Sequence, residues 1–401
     1  MEERTCLRCG NADPEYFWND EGVWYCRRCI AFGRIDAGQR PIPPKWEKRV
    51  IHCEYHLKYP LTAAQKRTVD EVMEGLNGGH DVLIYAATGA GKTELTMEAI
   101  RQYFARGKRV GFAIPPRQVV LEIAERMHKA FPDLEVRAVC EGHTDQVYAD
   151  LVVCTMHQLY RYPDCFDLLI MDEVDAFPYR GNDMLKAIAM QACSGQLLYL
   201  TATPDEEMLA DVEAGRLKMV TLFERPHRHP LIVPKLVCAP SFVLYALLIR
   251  FLHQNHLQHK QTLVFVPTIA MSKRLAMLFR PLFSCAALSS QSEDRDEVLA
   301  GYRRQQKEVL FATTVLERGI TIPDVQVAVL HGEHPVFTAA SLIQMIAIIV
   351  IGNPILMNGY SECMTKLMNR KICSSKPKPR SNPLKQIKSQ RKTSSPSSPI
   401  L

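Results

Sequence analysis

Short apolar runs recur along this chain, each closed by a polar or glycine-bearing turn and followed by a stretch of helical spacing. Residues 82–85, 109–114, 151–155, 167–171 and 197–200 form one set. Residues 262–267, 308–313 and 325–330 form a second, set off by the segment Arg225-Pro226-His227-Arg228-His229-Pro230. A run that is apolar at every position has two faces to bury. The pattern therefore predicts parallel strands covered by helices on both sides, an α/β fold in two units. The flanks follow other patterns. Residues 16–18 and 23–25 bracket the polar Asn19-Asp20-Glu21-Gly22 and read as a hairpin, and Pro41-Ile42-Pro43-Pro44 is a stiff connector. The Lys/Ser/Pro-rich stretch 374–401 has the composition of a disordered tail. The boundaries that follow are 1–45, 46–225, 226–343 and 344–401.

The run at 82–85 leads into Ala86-Ala87-Thr88-Gly89-Ala90-Gly91-Lys92-Thr93 and then a helical pattern over 94–104. Strand, glycine-bearing loop, Gly-Lys-Thr and helix make a P-loop. Gly89 and Gly91 let the backbone curl so that the N–H groups of Thr88 to Gly91 point at phosphate oxygens. Lys92 is placed to reach the β- and γ-phosphates of ATP, and the Thr93 hydroxyl to ligate Mg²⁺. Ala86 stands where the stricter form of the loop has glycine.

Four strands of the first set end in conspicuous polar groups, the edge at which α/β sheets bind ligands. Asp172-Glu173-Val174-Asp175 follows the strand ending at Met171. Beside a P-loop, Asp172 is the second holder of Mg²⁺ and Glu173 is positioned to orient or deprotonate the attacking water. Thr201 and Thr203, in Thr201-Ala202-Thr203-Pro204, are small hydroxyls that can couple phosphate state to domain movement. Arg117 and Thr155, at the ends of two other strands, are placed to contact a nucleic-acid backbone. Upstream, Thr62 is expected to cap a helix running toward Met73. Gln65 in its first turn can read an adenine edge, because an amide donates and accepts at once.

Cys6-x-x-Cys9 and Cys26-x-x-Cys29 stand sixteen residues apart, the spacing of a zinc ribbon. Four thiolates close a tetrahedral Zn²⁺ site with no open position, so the metal is structural. The other nine cysteines are scattered singly and read as small core residues. The start, Met1-Glu2-Glu3-Arg4, has no apolar signal core, which predicts a reducing cytoplasmic setting and metal rather than disulfides.

Charge changes the picture less than its total suggests. The formal net charge is +6, yet residues 361–401 carry ten Lys or Arg against one acid, leaving the preceding 360 residues at −3. Residues 27–58 hold eight basic residues against Asp36, Glu47 and Glu54. A phosphate-binding stripe and a solvated face fit that equally.

In order, the chain shows AxxGxGKT, PPRQ, TxxQL, DEVD, TATP, a VFVP strand and TTxxERGIT between residues 59 and 335. This series resembles the superfamily-2 helicases and translocases. With a four-cysteine module in front, it resembles the late-competence DNA-uptake family of Gram-positive bacteria, ComFA. The resemblance implies two RecA-like domains with ATP between them and a single-stranded-DNA-stimulated ATPase. It also implies work beside other competence proteins at the cytoplasmic face of the membrane. Thr313 is then a nucleic-acid contact, while Arg318 and Gly319 couple the lobes. Thr321 stands where many relatives carry Asp.

The resemblance breaks after Ala340. A final QxxGRxGR motif is expected, but Gln344 is followed by Met345-Ile346-Ala347-Ile348, and no Arg occurs between Gln344 and Asn369. The expectation is an incomplete second RecA-like domain with an atypical basic tail, as a change of reading frame near Gln344 would produce. The uncharged stretch 335–361 raises the rival of a membrane span, but its densest apolar run, 345–351, is far short of the ~20 residues a span needs. Two other functions compete with DNA uptake: a replication-restart or repair helicase, and an ATP-binding DNA clamp or scaffold without efficient turnover. No zinc knuckles interrupt the motor, which argues against the primosomal type. The missing arginines favour the clamp.

Overall fold

The computed structural model describes residues 4–176, 178–224, 226, 239–292, 294–314 and 325–337, with 341, 342 and 345. The N-terminal module is built on an antiparallel hairpin of β1 (Phe17–Asp20) and β2 (Val23–Cys26), as the bracketed polar turn predicts. Its small core is the four cysteines with Phe17 and Ile35.

The first large unit begins with α1 (Ala63–Asn77), β3 (Asp81–Ala86), α2 (Lys92–Leu95), α3 (Met97–Ala105), β4 (Val110–Ala113) and α4 (Arg117–Ala130). It continues through β5 (Val136–Val139), β6 (Leu151–Cys154), β7 (Phe166–Asp172), α5 (Asp183–Ala192), β8 (Cys193–Thr201), α6 (Glu206–Glu213) and β9 (Leu217–Leu222). Its seven strands lie in the order β5-β6-β4-β7-β8-β3-β9, with every described pairing parallel. The continuous apolar runs have the expected cause. Along β7, Leu168 and Ile170 enter one hydrophobic layer while Leu169 and Met171 enter the other.

β5 and β9 were not among the strands legible from apolar runs. Both lie at sheet edges, and in each the exposure is mixed, so neither shows the unbroken apolar run of a strand covered on both faces. The helix expected over 94–104 is interrupted at Thr96, whose hydroxyl donates to the Thr93 carbonyl (2.8 Å).

The second unit holds α7 (Ser241–Leu257), β10 (Thr262–Phe265), α8 (Ile269–Phe279), β11 (Cys285–Leu288), α9 (Arg295–Arg303), β12 (Val309–Ala312) and β13 (Gln326–Val329). Four parallel strands lie in the order β11-β12-β10-β13. Leu263 and Phe265 bury on one face of this sheet and Val264 and Val266 on the other. Met345 is fully buried in the first of those layers. The rest of 344–401, most of the boundary segment 225–230, and Arg318, Gly319 and Thr321 lie outside the described residues.

A polar strap joins the module to the first sheet. Trp46 packs edge-on to Phe166 at 6.0 Å, Lys48 pairs with Asp167 (2.8 Å), Arg49 pairs with Asp150 (2.5 Å), and Cys53 is buried in the core. His52, Cys53 and His56 form no metal-ligating group among the described residues. Of the scattered cysteines among the described residues, Cys53, Cys140, Cys154 and Cys165 are buried, whereas Cys193 and Cys285 are half-buried.

Candidate functional site

The strand order brings distant segments to one edge. β3 and β7 each flank β8, with Tyr85 opposite Thr201 and Asp172 opposite Leu200. The P-loop, the acidic turn and the Thr201–Thr203 turn therefore leave the carboxyl ends of three neighbouring strands, about 10 Å from end to end. They are as much as 117 residues apart in the chain, from Ala86 to Thr203.

Within the loop, Gly89 and Gly91 take φ of +79° and +84°, the left-handed conformation glycine supplies without strain. Ala90 is fully buried and its N–H donates to the Ala87 carbonyl (3.1 Å), tightening the curl. The Ala87 N–H donates to Leu222 of β9 (3.0 Å), so the loop is fastened on its far side. Ala86 is fully buried at the end of β3.

Gln65 is 4% exposed, and its amide is committed at both ends. Its Oε1 accepts from the Thr62 N–H (2.9 Å), completing a reciprocal capping box with the Thr62 hydroxyl. Its Nε2 donates to the Ala90 carbonyl (2.9 Å). Gln65 thus binds the loop itself, a role its position at the start of α1 did not reveal. The contact is close: a Cβ added at Gly91 would lie 2.6 Å from Gln65 Nε2.

At the end of β7, Asp172 is 6% exposed and its Oδ1 accepts from the Glu173 N–H (2.8 Å). Glu173 takes φ +52°, unusual for a residue with a side chain and costing on the order of 1 kcal/mol. Asp175, buried two residues on, accepts from the hydroxyls of Thr201 and Thr203, both at 2.7 Å. The Thr203 N–H donates to Thr201 Oγ1 (3.0 Å). Asp175 was legible as the last acid of DEVD, but nothing local to it announced its partners.

Of the proposed nucleic-acid contacts, Arg117 opens α4 after β4, with its Nε on the Glu141 carbonyl (2.8 Å). Thr155, largely buried, follows β6 and precedes a 3₁₀ turn, Met156–Arg161. Thr313 ends β12, also largely buried. Thr88 and Lys92 lie in the P-loop as expected. Burial holds His157, in the turn after Thr155, below its ordinary pKa.

The four module cysteines are buried, and their sulfurs lie within 4.8 Å of one another. Cys6 and Cys29 approach to 3.7 Å, as do Cys9 and Cys26. Zinc–sulfur bonds of about 2.3 Å in a tetrahedron place sulfurs roughly 3.8 Å apart, so the donor set fits Zn²⁺. Arg8, buried between the first two ligands, donates through Nη2 to Cys29 Sγ (3.1 Å) and to the Cys29 and Gly33 carbonyls (2.7 and 2.6 Å). A guanidinium there offsets the negative charge that four thiolates would leave on a zinc centre.

Residues 58–206 match the family described as "Type III restriction enzyme, res subunit", and residues 243–347 match "Helicase conserved C-terminal domain". The chain is similar to the competence protein ComFA of Bacillus subtilis (strain 168), 32% identical over 358 residues, covering 85% of this chain and 77% of the relative. It is similar to the ComFA of Streptococcus pneumoniae (strain ATCC BAA-255 / R6), 32% identical over 85% of this chain and 81% of the relative. Among solved structures it is similar to S. cerevisiae Dbp5 bound to RNA and ADP BeF3. That match has a TM-score of 0.55 at 16% identity and covers 72% of this chain and 84% of the other, a likeness of fold alone.

Proposed function

This chain belongs to the ComFA family of competence helicases, and on that footing we propose that it is an ATP-driven translocase of single-stranded DNA serving DNA uptake. The reading rests on the three adjacent strand ends, where a phosphate cradle, a buried carboxylate and a hydroxyl–carboxylate latch share one edge. The P-loop amides and Lys92 bind the phosphates of ATP. Thr93 and Asp172 would hold Mg²⁺, which neutralises phosphate charge when bound. Glu173 orients and deprotonates the attacking water. Asp175 ties the Glu173 turn to Thr201 and Thr203, so a change at the phosphate site reaches the end of β8. Arg117, Thr155 and Thr313 contact the DNA backbone, while Arg318 and Gly319 couple the second lobe to the first. Zinc in the cysteine site stabilises the N-terminal module. The chain works at the inner face of the membrane beside other competence proteins. No described helix is long and apolar enough to cross a membrane.

One sequence observation favours slow turnover. No arginine follows Gln344 until after Asn369, so the second lobe lacks the residue that neutralises transition-state charge in related motors. A supplied arginine is worth on the order of 10³–10⁵ in rate. This chain then binds Mg-ATP and DNA but hydrolyses slowly, between motor and clamp. The test is oligonucleotide-stimulated ATP hydrolysis by this chain and by a form with the reading frame restored after Gln344. Restoration is expected to raise the rate by at least a hundredfold. Agreement within tenfold removes the impairment, and no stimulation of either form removes the motor.

A further inference from the structure

The N-terminal module is docked on the turn that follows Thr155. Phe32 stacks on Tyr160 of that turn, with ring centroids 4.8 Å apart and planes 26° from parallel. Gln191 of α5 donates to the Leu7 carbonyl, and Met184 of α5 packs against the module's core. The position of Phe32 is in turn held by Arg8, whose Nη1 donates to the Phe32 carbonyl (3.0 Å).

Residues 35–37 extend the module's hairpin. The Cys26 N–H donates to Ile35 and the Ala37 N–H to Trp24, which lays residues 35–37 beside β2. Asp36 is thereby bridged to Tyr25, and Tyr25 faces Trp18 across the hairpin. Side chains alternate between the faces of a strand. Phe17 and Cys26 point into the core, so Tyr25 and Trp18 share the open face, where Trp18 is 54% exposed.

Three rings here carry a guanidinium, and among the described residues Phe32 does not. Arg161 lies 5.0 Å from the centroid of Tyr160, Arg34 lies 4.6 Å from Tyr25, and Arg27 lies 5.6 Å from Trp18. Asp20 and Asp36 hold Arg34 in place at 2.5 and 3.2 Å. Arg27 has no carboxylate partner among the described residues.

We propose that the open face of the zinc module, where Tyr25 and Trp18 lie beside Arg34 and Arg27, is a single-strand nucleic-acid track, held beside the motor's DNA path by the Phe32–Tyr160 contact. The inference rests on the single-stranded-DNA reading above. Rings on an open face offer stacking to unpaired bases of any sequence, and the Arg27 guanidinium beside Trp18 meets a phosphate. Bases paired in a duplex have no free face to offer, so the track selects single strands. Docking on the turn after Thr155 fixes the module, and the track with it, on the motor rather than on a tether.

The test is fluorescence anisotropy of a labelled oligo-dT on the full zinc-loaded chain across a salt series, with duplex of equal length as comparison. Trp18→Ala is expected to weaken oligo-dT binding about tenfold, the worth of one lost stack, and to leave duplex binding unchanged, whereas Trp18→Phe restores it. Arg27→Glu is expected to weaken binding and to lower the salt slope by roughly 0.7, one phosphate contact. Zinc content checks the module's integrity, and if Trp18→Ala loses zinc, the surface change Arg27→Glu decides. Wild-type binding with both variants indistinguishable from it overturns the track and leaves the motor standing. No wild-type affinity for single strands overturns the track together with the reading it rests on.

Discussion

Thr203 donates its hydroxyl to Asp175 at 2.7 Å, across 28 residues and between the ends of two adjacent strands. Thr201 does the same to the other carboxylate oxygen. One buried acid therefore ties the turn that carries Glu173 to the turn that leaves β8. Thr203→Ala breaks one bond of the pair and leaves Thr201 in place. ATP affinity should stay within threefold of wild type while DNA-stimulated movement, read by displacement of streptavidin from a biotinylated strand, falls at least tenfold. Equal loss of nucleotide affinity and movement would assign the pair to nucleotide binding instead.

The two halves of the nucleotide site should separate by mutation. Lys92→Ala removes a charge aimed at the phosphates and is expected to weaken ATP binding tenfold or more. Glu173→Gln keeps the shape of the turn and removes the base, so binding persists while hydrolysis drops by 10²–10⁴-fold, the usual contribution of a positioned general base. Titration with a fluorescent ATP analogue beside a phosphate-release assay distinguishes them.

Gln65 ties α1 to the P-loop through Ala90. Gln65→Ala loses half of the capping box and the bond to the loop, at a cost of about 1–2 kcal/mol. The first lobe's melting temperature should fall by roughly 2–8 °C, and ATP should bind more weakly. A variant that loses nucleotide affinity with an unchanged melting temperature would instead mark Gln65 as a base-reading residue.

Zinc should be stoichiometric and local in effect. Metal analysis is expected to give one zinc per chain, and Cys26→Ser to lose it. Because Phe32 and Leu7 are among the contacts that dock the module on the motor, proteolysis should then open residues 4–40 and spare the first sheet. Full zinc occupancy in Cys26→Ser would exclude the four-cysteine site.

Some of this protein was determined by residues close together in the chain. A P-loop needs glycines where the backbone turns left and a lysine just after them, and a zinc knuckle needs two cysteines two residues apart. Both are local constraints, so Gly89, Gly91, Lys92 and the four clustered cysteines were legible directly. So were the doubly buried strands, because a strand covered on both faces must be apolar throughout. Edge strands such as β5 and β9 escape that rule, since partial exposure admits polar residues. What only the tertiary structure decided are the pairings between distant segments: Gln65 with Ala90, Asp175 with Thr201 and Thr203, Phe32 with Tyr160. Each joins groups whose own neighbours in the chain say nothing of the partner. A side chain's donors and acceptors are set by its type, but which of them meet depends on strand order, and strand order is a property of the whole sheet.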